Sequence, residues 1–230
     1  MQFNQFSTTD ALNHEFAEKL QTLIRAAIAE RGQAWLVVSG GKTPQALFNT
    51  LSKTDLAWQH VTVLLADDRW LPESHKDSNE GLVKASLLQN NAAAARFISL
   101  YDAKADSAFD GAAGIQKRLA DLPVFDAVIL GMGEDGHTAS LFPCSAQLAD
   151  GLADNAPAAL AVKPETAPYE RISLSRPRLL NSRQVFLHLV GENKLSVLNN
   201  AMADTDVSRM PVRAFLHHPQ TDVCVMYAPN

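Results

Sequence analysis

The chain has 230 residues, of which 47% are hydrophobic and 20% are charged, and its formal net charge is −5. A chain of this length and composition can bury a substantial core, and we expect a single domain over residues 1–230. The negative balance argues against a nucleic-acid partner, although a local cluster of donors would still bind an anionic metabolite.

Membrane and secretory roles are also disfavoured. Residues Met1–Asp10 are polar and lack the basic-then-apolar plan of a signal peptide, and no apolar run is long enough to cross a bilayer. Cys144 and Cys224 lie far apart in the sequence, without the spacing of a metal site, and are expected to be reduced thiols. The sequence therefore predicts a cytoplasmic protein with no membrane partner.

Short β-rich runs alternate with helical stretches along the chain. A first helix is expected from an N-cap at Thr9–Asp10 to a stop at Gly32, followed by the continuous apolar run Trp35–Val38. Thr43 as N-cap and Pro44 at the first helical position predict the start of a second helix. Further strands are expected at Val61–Ala66, Phe97–Leu100, Phe125–Leu130, Ile172–Leu174, Val185–Val190 and Val223–Tyr227, and further helices at Ser78–Leu88, Phe109–Leu119 and Glu192–Asn200.

This alternation predicts an α/β fold with a mostly parallel sheet flanked by helices. The Ala- and Pro-rich stretch Gln147–Pro168 is interpreted as an excursion from that fold rather than a domain boundary. In open α/β sheets, ligands bind beyond the carboxyl ends of the strands. Three polar or glycine-rich segments follow predicted strand ends, namely Ser39–Thr43, Asp67–Trp70 and Gly131–His137, and they are expected to form one site.

The first of these segments joins a strand to a helix. Gly40 and Gly41 would let the backbone approach a ligand, and Lys42 and Thr43 would add donors to an anion at the helix start. The Gly-x4-Gly-Lys-Ser/Thr spacing of a P-loop is absent. A plain tight turn before a capped helix explains the segment equally well, so both interpretations stay open.

The second segment places Asp67 and Asp68 beside Arg69. Such a group would hold sugar hydroxyls, serve as a base, or form a surface ion pair. Taken in isolation, the surface ion pair is the better interpretation, because exposed charge pairs are common and energetically weak.

The third segment carries three glycines, two acids and His137 directly after an apolar strand. Histidine has the side chain best suited to take a proton from water near neutral pH, and the glycines would expose backbone N–H groups to developing negative charge. A lone loop histidine is more often structural, but the strand-end position favours function. The sequence has no His-x3-His pair, cysteine cluster or Gly-x-Ser-x-Gly elbow, and the nearest serine, Ser140, is expected on a helix. The simplest hydrolytic mechanism left by these absences uses no metal or cofactor and has water as the nucleophile.

Several motifs together resemble the glucosamine-6-phosphate isomerase/6-phosphogluconolactonase family, and within it the lactonases rather than the isomerases. The resemblance covers nearly the whole chain, and its most specific part is Gly131–Pro143. The other matching motifs are Ser39–Pro44, Asp67–Trp70, Asp77–Asn79, Arg171–Leu174 and Val190–Lys194.

The resemblance implies a modified Rossmann-like sheet of the glucosamine-6-phosphate isomerase type and hydrolysis of a phosphorylated sugar lactone in the oxidative pentose phosphate pathway, by a monomer or small homo-oligomer. It places the catalytic histidine at His137. Separately from the resemblance, we expect Asp135, two residues earlier, to orient the imidazole. The resemblance places the phosphate and sugar contacts at Gly40, Gly41, Lys42, Thr43, Arg69, Arg171 and Lys194. Asp67 is added to these substrate contacts as a carboxylate that would hold a sugar hydroxyl. Lys42 stands where the family usually has serine, and Asp68 where it usually has glutamate.

Two other functions compete with this interpretation. An amino-sugar-phosphate isomerase or deaminase of the same fold would use Asp67 as a carbon base, but such deaminases carry Phe-Asn-Glu-Pro after Asp-Gly-His, whereas Ser140–Pro143 supplies no carboxylate. A sugar-phosphate-sensing module of a transcription regulator would need a DNA-binding segment, and only about thirty residues precede the first predicted strand, too few for a helix-turn-helix domain.

Overall fold

The computed structural model describes residues 1–230 and contains ten strands and eight α-helices. The strands are β1 (Gln2–Gln5), β2 (Ala34–Val38), β3 (Val61–Leu65), β4 (Asp67–Arg69), β5 (Arg96–Ile98), β6 (Ala127–Leu130), β7 (Ala159–Val162), β8 (Arg171–Leu174), β9 (Val185–Val190) and β10 (Cys224–Ala228). The helices are α1 (Thr9–Arg31), α2 (Gln45–Leu51), α3 (Asn79–Ser86), α4 (Ala108–Leu119), α5 (Leu148–Leu152), α6 (Arg176–Leu180), α7 (Glu192–Met202) and α8 (Arg213–Leu216).

Seven strands form a parallel sheet in the order β1-β10-β9-β6-β2-β3-β5. Strands β2, β3, β6 and β10 are buried along their whole length, which is why they appear in the sequence as continuous apolar runs. The mostly parallel α/β sheet predicted from the alternation is confirmed.

The order in which the chain adds strands to the parallel sheet reverses between β2 and β6. From β2 it adds β3 and β5 on one side, then returns to β6 and adds β9 and β10 on the other. Val38 of β2 pairs with Ile129 of β6, so these two strands end next to each other. Such a switch point opens a crevice at the carboxyl ends of the strands, because the connections leave in opposite directions.

A second, three-stranded antiparallel sheet has the order β4-β8-β7. The predicted strand at Ile172–Leu174 therefore exists, but it belongs to this small sheet rather than the parallel one. Asp67–Trp70, expected as a loop, contributes β4, and the stretch Gln147–Pro168 contributes α5 and β7. The small sheet matters for function because it brings Arg69 opposite Arg171.

The predicted helix ends were only partly right. Gly32 ends α1 in the left-handed conformation, as expected, but the N-cap side chain is Thr8 rather than Thr9. Thr43 does not cap α2: that helix begins at Gln45, with Pro44 at its N-cap and no side-chain cap hydrogen bond. None of the eight helices is both long and apolar enough to span a bilayer.

Candidate active site

A cavity of about 240 Å³ opens at the switch point, beyond the carboxyl ends of β2, β6 and β9. All three segments selected from the sequence contribute to its wall, so they form one site. The predicted residues that line the cavity are Gly40, Gly41, Lys42, Thr43, Asp67, Arg69, His137, Arg171 and Lys194. Asp135 does not line this cavity, but it contacts His137, which does.

The glycine loop after β2 approaches the wall of the cavity closely. An added Cβ at Gly40 would stand 2.0 Å from Oδ1 of Asn79, so no side chain fits there. Gly41 has φ +101, a conformation that favours glycine. Lys42 is exposed at the rim and Thr43 is half-buried. The loop therefore presents main-chain groups to the cavity, with Lys42 free to reach an anion.

The three charged side chains of β4 lie on two different faces of the strand. Successive strand residues point to opposite faces, so Asp67 and Arg69 share the cavity side while Asp68 points away. The Asp68 carboxylate accepts the backbone N–H of Asn79 at 2.7 Å and of Glu80 at 2.9 Å, at the start of α3. Burial raises the pKa of Asp68 to about 7, against the opposing effect of those backbone hydrogen bonds. Asp68 thus anchors α3 and does not face the substrate cavity.

Asn79 is a cavity residue that was not among the predicted site residues. Its Oδ1 accepts a hydrogen bond from Nη1 of Arg69 at 2.6 Å, and its Nδ2 donates to the carbonyl of Asp67 at 3.0 Å. Asn79 therefore fixes the arginine against the cavity wall. The Asp77–Asn79 motif was the available signal, but sequence alone assigned it no role.

His137 and Asp135 form the expected pair. Nδ1 of the imidazole lies 2.5 Å from Oδ1 of Asp135, and the same oxygen accepts the backbone N–H of His137 at 3.1 Å. Because a carboxylate accepts at Nδ1, that nitrogen carries the proton of the neutral ring and Nε2 is the unprotonated nitrogen. Partial burial works to raise the pKa of Asp135, but the hydrogen bond and charge of His137 outweigh it and hold that pKa below its usual value.

Glycines make this pair possible. Gly136 has φ +74 and its carbonyl accepts the N–H of Val212 at 2.9 Å, which ties the turn to the segment before α8. Gly133 lies directly under the imidazole and donates its N–H to the carbonyl of His137 at 2.9 Å. The glycine-rich sequence thus closes a tight turn that carries the histidine.

Ser140 lies in a turn, not on the helix expected from the sequence, and is fully buried. Its hydroxyl donates to Oδ2 of Asp67 at 2.5 Å, and its backbone N–H donates to Oγ of Ser173 at 3.1 Å. Ala139, just before it, has φ +48, a left-handed conformation that costs a non-glycine residue about 1–2 kcal/mol. Ser140 does not line the cavity; it holds Asp67, which does.

The remaining cations are held by main-chain carbonyls and packing. Lys194, in the first turns of α7, donates from Nζ to the carbonyl of Met132 at 2.8 Å. Arg171 is buried, and its Nη1 lies 3.5 Å from Oγ of Ser140. Burial lowers the pKa of Arg171, with the neighbouring Asp67 acting in the opposite direction; an arginine nevertheless stays protonated.

The cavity is therefore suited to an anion. Four cationic residues line it together with a single carboxylate, that of Asp67; the cations are Lys42, Arg69, Arg171 and Lys194. The one cluster of three side chains with metal-ligand geometry, His14, Glu15 and Glu18, is exposed on α1.

Comparison with known proteins assigns the chain to a family. The family model described as glucosamine-6-phosphate isomerases/6-phosphogluconolactonase matches residues 7–225. The chain belongs to that family. A Pseudomonas aeruginosa protein named 6-phosphogluconolactonase is 46% identical over 200 residues, which are 86% of this chain and 84% of that protein.

Solved structures agree with this assignment. A crystal structure of a 6-phosphogluconolactonase from Shewanella baltica has a TM-score of 0.96 at 44% identity, covering 99% of this chain and 97% of the other. A monomeric glucosamine-6-phosphate deaminase has a TM-score of 0.82 at 17% identity over 99% of this chain and 97% of the other, which shows a shared fold alone. The family, the fold type and the enzyme class predicted from the motifs are confirmed.

Proposed function

We propose that this enzyme hydrolyses 6-phospho-D-glucono-1,5-lactone to 6-phospho-D-gluconate, the lactonase step of the oxidative pentose phosphate pathway. The observation that carries the proposal is the shared cavity, which is lined by a histidine hydrogen-bonded to a carboxylate and by four cationic residues. A sugar lactone with a phosphate at its far end has the matching chemistry, an electrophilic carbonyl and a distant dianion. Relatives named 6-phosphogluconolactonase support the same substrate.

In the proposed mechanism, Nε2 of His137 takes a proton from a water molecule whose oxygen attacks the lactone carbonyl. The tetrahedral intermediate then collapses by breaking the bond to the ring oxygen, which receives that proton from His137. The products are a carboxylic acid, which ionises, and a free hydroxyl, and the histidine returns to its neutral form. Asp135 keeps Nδ1 protonated and stabilises the transient imidazolium, as the third member of a catalytic triad does.

Substrate binding is assigned to the other predicted residues. Arg69, Arg171 and Lys194 anchor the phosphate, each charge-assisted hydrogen bond contributing about 1.5–3 kcal/mol. The main-chain groups of the Gly40–Thr43 loop and the exposed Lys42 contact the same end of the molecule, and Asp67 accepts from a sugar hydroxyl. Binding at this remote end orients the carbonyl towards His137.

The test is hydrolysis of the phosphorylated lactone, corrected for the spontaneous reaction and compared with glucono-1,5-lactone, which lacks the phosphate. We expect a much lower kcat/KM for the unphosphorylated lactone. Equal turnover of both lactones would contradict the phosphate anchor. Release of ammonia from glucosamine 6-phosphate, with no lactone hydrolysis, would instead support the deaminase alternative.

A further inference from the structure

One aromatic side chain, that of Phe142, packs against two side chains that line the cavity. The ring of Phe142 stacks on the imidazole of His137, with centroids 4.0 Å apart and planes 26° apart. The guanidinium carbon of Arg171 lies over the same ring, 4.9 Å from its centroid. The residue proposed to activate water and a residue proposed to bind phosphate therefore share one packing partner.

Phe142 is buried without being part of the main hydrophobic core. It is 4% exposed, yet it is absent from the contiguous core cluster that contains its fully buried neighbour Leu141. A buried phenylalanine normally stabilises a protein through contacts with other apolar side chains. Here its aromatic contacts are with a histidine and an arginine that face the cavity.

The stacking complements the hydrogen bond from Asp135. A hydrogen bond at Nδ1 fixes the position of one imidazole atom, but the ring can still rotate about the axis through that contact. A flat ring packed at 4.0 Å blocks this rotation and so fixes the direction in which Nε2 points. An aromatic face also attracts a cation, which favours the imidazolium formed during the proposed reaction.

Arg171 needs the same support for a different reason. Its Nη1 and Nη2 make only long contacts of 3.5 Å, to Oγ of Ser140 and the carbonyl of Pro168, and its Nε has no hydrogen-bond partner. A guanidinium that lies over an aromatic ring is held by its face, so its N–H edge stays available to a ligand. Phe142 thus orients the arginine without occupying its donors.

We infer that Phe142 is a shared positioning residue, which sets the orientation of both His137 and Arg171. This inference rests on the proposed lactonase function for its kinetic consequences. Its structural content, one ring that orders two polar side chains, is tested independently of turnover.

The experiment compares Phe142→Leu, which removes the aromatic ring but keeps an apolar side chain, with Phe142→Tyr, which keeps the ring. For Phe142→Leu we expect kcat to fall about 10- to 100-fold on both the phosphorylated and unphosphorylated lactones, because His137 is misplaced. KM should rise about three- to tenfold for the phosphorylated lactone only, because only that substrate uses Arg171. Phe142→Tyr should recover both constants to within about threefold of the wild type.

Leu141→Val is the matched control, since it removes a methylene from the core next to Phe142. It should lower the melting temperature while leaving kcat and KM unchanged below that temperature. Wild-type constants in Phe142→Leu would overturn the inference, and so would a change in only one of the two constants, because a shared role requires both.

A second measurement does not depend on catalysis. The ring-proton NMR signals of His137 should be shifted upfield by the Phe142 ring in the wild type and in Phe142→Tyr, and should lose that shift in Phe142→Leu. Inorganic phosphate should bind more weakly to Phe142→Leu. If the wild type fails to hydrolyse the lactone but these two changes occur, the proposed function fails and the positioning role stands. If both changes are missing, the positioning role fails.

Discussion

Gly133 lies so close to His137 that a Cβ built on it would stand 2.1 Å from Nδ1 of the imidazole and 2.6 Å from Oδ1 of Asp135. Glycine at this position is therefore a condition for the Asp135–His137 pair. Gly114, in α4 and outside the cavity, has room for a side chain, since an added Cβ would meet only Oδ2 of Asp102 at 3.9 Å.

This contrast gives a prediction that leaves the catalytic side chains untouched. Gly133→Ala should push the imidazole off Asp135 and lower kcat for the lactone by about 10²-fold, since misplacement of a reacting group by about 1 Å has that effect. Gly114→Ala, outside the cavity, should keep nearly full activity. The two variants are compared by steady-state kinetics, and equal activity of the two would show that the pair tolerates displacement.

A second glycine tests the phosphate end. An added Cβ at Gly40 would clash with Oδ1 of Asn79 at 2.0 Å, the atom that accepts from Arg69. Gly40→Ala should therefore release Arg69 and raise KM for the phosphorylated lactone about tenfold or more, the effect of losing one charge-assisted hydrogen bond. Gly114→Ala, in α4, would meet only Oδ2 of Asp102 at 3.9 Å and serves as the control. An unchanged KM in Gly40→Ala would remove Arg69 from the anchor.

Ser140 is expected to act through Asp67 and not as a nucleophile. Ser140→Ala leaves the buried carboxylate without its 2.5 Å donor, so the free energy of unfolding should fall by about 1–3 kcal/mol in urea denaturation. Combined with Asp67→Asn, the loss should be smaller than the sum of the two single losses, because the residues share one hydrogen bond. Turnover should persist in Ser140→Ala; its complete loss in a folded variant would point to a serine nucleophile instead.

The burial of His188 should make the stability of the protein depend on pH. Its ring is buried against Phe16, with 5.4 Å between centroids, and burial lowers the pKa of His188 to about 4. Because the unfolded chain takes up this proton near its ordinary value of 6.5 while the folded chain does not, stability is full above pH 6.5 and is lost as pH falls towards 4. The slope approaches about 1.4 kcal/mol per pH unit.

The measurement is the difference between the wild type and His188→Leu in the free energy of unfolding, followed from pH 7 to pH 4. The difference is needed because Asp68 has the opposite effect on stability. Its pKa is raised to about 7, so the free energy of unfolding that it contributes decreases as the pH rises through the same range. The variant should gain stability relative to the wild type on acidification. A difference that does not change with pH would show that His188 titrates normally.

The sequence predicted the site better than it predicted some of the elements that build it. His137 and Gly40 were correctly expected to meet, because loops after parallel strands end at one edge of a sheet, whereas Lys194 was expected there only through the family resemblance. Strand β1 escaped notice because it is short, polar and exposed, and it exists only through pairing with β10 at the other end of the chain. No local pattern carries that information.

The supporting contacts were missed for the same reason. Asn79, Ser140 and Phe142 act on residues distant in the sequence or across a turn, and nothing in their spacing identifies those partners. The expected cap at Thr43 was wrong because Thr43-Pro44 satisfies the local pattern of a helix start, whereas the helix begins one residue later, at Gln45. Local preferences locate candidate elements, and tertiary packing decides where they begin.

The central claim is that His137 removes a proton from water at the lactone carbonyl, and His137→Gln tests it most directly. The rate of 6-phosphogluconolactone hydrolysis, corrected for the spontaneous reaction, should fall by about 10²–10⁴-fold with the melting temperature nearly unchanged. His60→Gln, at an exposed position outside the cavity, should keep the wild-type rate. A rate for His137→Gln within a few-fold of the wild type would contradict the account.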